Sequence, residues 1–140
     1  MKKIFFAALG CMVLLACNND KAEEKKVMDD ILATHEKVMA IEDKAVENKI
    51  HLDSLVKINQ MLPANLSKPQ TNFKQLSDSL NTASEGMENW MHGFDPEYKA
   101  KSHVELMKYL ETQRLKINTV KGRLDSAISQ SSKVLANYKK

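Results

Sequence analysis

Phe73-Lys74-Gln75-Leu76-Ser77-Asp78-Ser79-Leu80-Asn81-Thr82-Ala83-Ser84-Glu85-Gly86-Met87-Glu88-Asn89-Trp90-Met91-His92-Gly93-Phe94 decides the fold. Phe73, Leu76, Leu80, Ala83, Met87, Trp90 and Phe94 recur at steps of three and four, which sets them on one face of a helix. Ahead of this seam, Ser67-Lys68-Pro69-Gln70 has the form of a capping box, with a proline where the first turn needs no amide. Behind it, Gly93 suits a helix end and Asp95-Pro96-Glu97 begins a turn.

Working outward, Ser102-His103-Val104-Glu105 is a second capping box. It opens a helix carrying Leu106, Leu110, Ile117, Val120, Leu124, Ile128, Val134, Leu135 and Tyr138. Upstream, Met28, Leu32, His35, Met39, Val46 and Ile50 form one helical stripe, broken by Glu42. Ile31, Val38, Ala45, Leu52 and Leu55 widen it, and Met61-Leu62-Pro63 stops it. Glycine and proline are scarce, four and three in 140 residues, which is the punctuation of a few long helices and not of a sheet. The expectation is an all-α, elongated up-down-up three-helix bundle with coiled-coil-like packing, over 27–140, with helices at about 27–61, 68–93 and 103–138. A helical hairpin that dimerises competes with it, because Glu42, Asp43 and Lys49 make the first helix polar.

The N-terminus has a different grammar. Met1-Lys2-Lys3 precedes an apolar run from Ile4 to Ala16, too short for the ~20 residues of a membrane span. The run closes on Leu14-Leu15-Ala16-Cys17, the layout of a secretory signal cut before a cysteine. This tetrapeptide resembles the bacterial lipobox, so residues 1–16 are expected to be removed and Cys17 to carry lipid. Cys11, after Ala8-Leu9-Gly10, is a poorer cleavage site. Residues 17–26 then read as a lipid-anchored tether, whose Asp20, Glu23 and Glu24 resemble surface-export tracts of Bacteroidota lipoproteins. The expected place is the cell envelope, lipid-anchored at the outer membrane, facing the periplasm or the cell surface.

Composition narrows the function. The 21 basic residues against 18 acidic include Lys2 and Lys3, so the processed chain is nearly neutral and carries no argument for nucleic acid. With Cys11 removed and Cys17 acylated, no disulfide can form within one chain. His35-Glu36 lacks the second histidine of a zinc-protease helix, since Met39 stands there. Ser84 lacks a nucleophile-elbow setting, and no glycine-rich phosphate loop is present. The expectation is therefore no enzyme and no cofactor.

Register arithmetic gives one sharper expectation. Folding helix two back about residue 65 pairs His35 with Phe94 and Met39 with Trp90. Folding helix three back about residue 98 pairs His103 with Phe94 and Met107 with Trp90. The lipid-proximal end would then collect His35, Met39, Met87, Trp90, Met91, His92, Phe94, His103 and Met107. Packing explains such a cluster, since methionine fills irregular core ends and tryptophan plugs them. A soft-metal site of copper type on His35, Met39 and Met91 is the second reading, and a docking surface on Trp90, Phe94 and Tyr98 with the methionines the third.

His35-Glu36-Lys37-Val38-Met39, Met87 through Phe94, and Tyr109 through Val120-Lys121 are similar to blocks of a group of small Bacteroidota lipoproteins often called "viral A-type inclusion protein". That resemblance implies an envelope lipoprotein with long helices and no activity or cofactor to carry over. Asn137-Tyr138-Lys139-Lys140 resembles the end of the major murein lipoprotein, although a lysine-rich helix end is also what the helix dipole favours. The sequence thus points to a lipid-anchored structural or interaction module that meets an envelope protein or the wall, with a homodimer as one assembly.

Overall fold

The structure, a computed structural model, describes the backbone of residues 12–63 and 71–138 and the side chains of 19–63 and 72–138. Three helices, α1 (Met12–Met61), α2 (Thr71–Gly93) and α3 (His103–Ala136), run up, down and up. Every pair packs together, so the fold is an all-α three-helix bundle. The capping box Ser67-Lys68-Pro69-Gln70, the terminal Lys139-Lys140, the basic start and Cys11 lie outside the described residues, as does the Cys17 side chain.

The second capping box forms in half. The Ser102 hydroxyl accepts from the Glu105 amide at 3.2 Å, which caps α3. The Glu105 carboxylate accepts from the Lys101 amide at 2.8 Å instead of reaching back to Ser102. α1 starts earlier than the expected tether allows. The polar stretch 17–26 is helical, and its carboxylates face α3 rather than only solvent.

The seam of α2 packs as its spacing requires. Phe73, Leu80, Ala83, Met87 and Trp90 are buried, with Leu76 and Phe94 half-buried beside them. In α1 the core lies on the flank of the expected face, on the residues that widen it and not on its leading stripe. Ile31, Val38, Ala45 and Leu52 form the core at a seven-residue repeat that buried Asn59 continues, with Val27 and Asn48 buried one turn from its members. Leu32, Met39, Val46 and Ile50, expected to lead the core, are 43% to 60% exposed. Two apolar stripes lie side by side on α1. The one that keeps pace with a partner helix over four heptads, from Ile31 to Asn59, wins, even though it includes asparagines.

α3 follows the same rule. Leu110, Gln113, Ile117, Val120, Leu124, Ala127 and Ser131 alternate at steps of three and four, and Leu135 follows after four more. Ile128 and Val134 pack half-buried at the margin, and Tyr138 meets the edge of Phe73 at 5.1 Å. Asn48 ties α1 to α3, donating to the hydroxyls of Ser131 (2.9 Å) and Ser132 (2.8 Å) and, at 3.4 Å, to the Ile128 carbonyl. Ser77 donates to Asp53 at 2.5 Å and ties α2 to α1. Burial works against the Asp53 carboxylate, but hydrogen bonds from Lys49 and Ser77 and the charges of Lys49 and Lys57 hold its pKa below the usual value.

Candidate functional site

The lower end of the bundle is built by the turn between α2 and α3. Tyr109 holds that turn, its hydroxyl accepting from the Asp95 amide at 2.7 Å and donating to the Asp95 carbonyl at 3.0 Å. The Asp95 carboxylate accepts from the Glu97 amide at 2.9 Å, an Asx turn set by Asp95-Pro96. Around this anchor the rings stack. Tyr98 lies 4.1 Å from Tyr109, Phe94 6.4 Å from Tyr109, Trp90 4.9 Å from Phe94, and His35 5.9 Å from Trp90. The charge of Glu105, then burial, a hydrogen bond to Glu105 and the neighbouring Tyr109 raise the Tyr98 pKa.

This ladder reunites His35, Trp90 and Phe94 but disperses the rest of the expected cluster. Met87 is core, and Met107 packs half-buried against it. Met39 and Met91 are 45% and 41% exposed, and His92 is exposed. His35 faces Trp90 and not Phe94, close to one turn from the expected pairing. The expected partners of His103 and Met107 change by more, because residues 94–102 form a longer connection than a tight turn. Phe94 therefore stacks on Tyr109 and not beside His103.

His103 instead meets α1. Its Nδ1 lies 2.8 Å from Glu24, and its Nε2 lies 3.6 Å from Glu23 and 3.9 Å from Asp20. The Glu24 hydrogen bond raises the His103 pKa above 6.5, burial opposes it, and the charges of Asp20, Glu24 and Glu23 add to the rise. Sequence reading missed this contact because it left 17–26 as a tether. Asp20, Glu23 and Glu24 at helical steps were the available signal. Among the described residues no three His, Cys, Asp or Glu side chains come together where they could hold a metal ion.

A groove runs between α2 and α3, lined by residues of those two helices alone. Its widest part, about 1180 Å³, runs from Lys74 and Gln75 past Thr82 to Arg123 and Gln130. It continues as about 590 Å³ along Gly86, Asn89 and Trp90 against Thr112 and Lys116. Small side chains line much of it, and a Cβ at Gly86 would meet Val120 at an ordinary 3.9 Å. Trp90 lines it, and the buried indole N–H of Trp90 has no hydrogen-bond partner. No described helix is long and apolar enough to cross a membrane. The chain matches no protein-family model, no curated protein and no solved structure.

Proposed function

We propose that this protein is a lipid-anchored, non-catalytic interaction module of the cell envelope, held at the outer membrane by acyl chains on Cys17. The carrying observation is the run Lys2-Lys3, Ile4 to Ala16, then Leu14-Leu15-Ala16-Cys17, joined to a helix that continues from Met12 to Met61 without a break. A lipid on Cys17 would sit at the start of a helix that is itself a bundle member. The bundle would then stand on the membrane through a stiff stem. The exposed row Leu32, Met39, Val46 and Ile50, interleaved with Glu36 and Asp43, supports a binding role, because large apolar side chains in a line among charges suit a partner that matches both. A metal-handling role draws less support, since Met39 and Met91 are exposed while the His35 ring lies tilted against Trp90.

The test is fractionation of cells expressing the full chain or Cys17→Ser. The wild type is expected in the membrane fraction, released only by detergent. Cys17→Ser is expected to leave that fraction. Detergent-dependent retention of Cys17→Ser would overturn the anchor.

A further inference from the structure

Two surfaces on opposite sides of the bundle complement each other. On α1, Leu32, Glu36, Met39, Asp43, Val46 and Ile50 form an outward row at alternating steps of four and three. Its four apolar members are the exposed stripe described above, and Glu36 and Asp43 have no ion-pair partner among the described residues. On α3, Thr112, Lys116, Thr119, Arg123, Ser126 and Gln130 line the groove with the same alternation. Lys116 and Arg123 likewise have no carboxylate partner. The groove's one acid, Asp78, is taken by Lys74 at 2.6 Å.

We infer that a second copy of this chain docks its α1 row into the α2–α3 groove. The inference rests on the anchored-module reading, because copies held at one membrane stand at equal height with α1 parallel to the neighbour's α3. Within one bundle, residues level on α1 and α3 are 79 to 84 apart in sequence, as at Glu24 with His103 and Asn48 with Ser132. At a separation of 80, that of Asn48 and Ile128, Glu36 meets Lys116 and Asp43 meets Arg123. The same separation sets Leu32, Met39 and Val46 against Thr112, Thr119 and Ser126. Short side chains let the incoming helix approach, so the apolar row leaves water while the charges fix its height. Glu36 also arrives at the level of Trp90, whose indole N–H lacks an acceptor. Exposed ion pairs alone are worth little, so the apolar row supplies the attraction and the charges the register. The contact is head-to-tail, and repetition gives a row or a closed ring of bundles on the membrane.

Disulfide cross-linking of the full chain in native membranes tests this. Glu36→Cys with Lys116→Cys, and Asp43→Cys with Arg123→Cys, are expected to give a ladder of multimers, because the two sites lie on opposite sides of one bundle. Glu36→Cys with Gln130→Cys, well over two turns out of register, is expected to give none. In the first pair, adding Arg123→Glu should lower the yield about tenfold or more through like-charge contact with Asp43, and adding Asp43→Lys as well should restore it. Absence of a ladder from both matched pairs, in membranes that hold the folded protein, would overturn the contact. So would equal yields from matched and mismatched pairs. Protein found only in the soluble fraction would overturn the anchor instead. A ladder there would uphold the contact, and its absence would overturn both.

Discussion

At the residue scale, three side chains carry most of the information. Asn48 sits in the core where a leucine would fit the pattern, and its amide is satisfied by Ser131 and Ser132. A buried asparagine at a heptad position fixes register at a cost in stability. Asn48→Ala is expected to lower stability by about 1–3 kcal/mol in denaturant unfolding, through lost hydrogen bonds. Asn48→Leu is expected to cost less and to loosen the pairing of α1 with α3, seen as faster amide exchange in both helices. Trp90 plugs the lower end, so Trp90→Ala should cost about 3–5 kcal/mol and abolish the near-UV circular dichroism of the ring ladder. His103 gives a pH signature. Its folded pKa is raised, so its contribution is fully present below 6.5 and is lost as pH rises through the folded value. The melting temperature of wild type relative to His103→Gln should therefore be greatest near pH 6 and should fade as the solution turns alkaline. An equal difference at both ends would remove the Glu24 contact from the account.

At the element scale, α1 is the instructive helix. Its two stripes make opposite predictions for alanine. Leu52→Ala, on the buried stripe, should cost about 2–5 kcal/mol, whereas Leu32→Ala, on the exposed one, should change stability by about 0.5 kcal/mol or less. Chemical denaturation of the two variants separates these directly. The number, order and direction of the helices were legible in the sequence, because α2 has one unambiguous seam and Ser102 a clear capping pattern. On α1 the core residues Ile31, Val38, Ala45 and Leu52 were legible as part of the apolar face, but the centre of that face was not, since hydropathy cannot credit Asn48 and Asn59 with core positions that only a partner helix can satisfy. Gln113 and Ser131 escaped in α3 for the same reason. The aromatic end was legible as a cluster, but its pairing was not. That pairing depends on the length of the 94–102 connection and on Tyr109 locking Asp95, a contact between residues that periodicity treats separately.

At the scale of the whole molecule, the account joins a stiff stem, a bundle and two complementary faces. On the anchored-module reading proposed above, a stem helix would place every copy at one height, and the α1 row and the α2–α3 groove would then be matched surfaces. Monovalent copper under reducing conditions should leave the melting temperature of the full chain unchanged, since a ligand specific to the folded state must raise it. A rise abolished by His35→Ala would return the His35, Met39 and Met91 site to consideration. The central claim is the lipid on Cys17, and intact mass spectrometry of the protein extracted from membranes addresses it without any substitution. The account predicts a chain that lacks residues 1–16 and carries the added mass of acyl chains at Cys17. A chain that retains residues 1–16, or one that begins at Cys17 with an unmodified thiol, would contradict it.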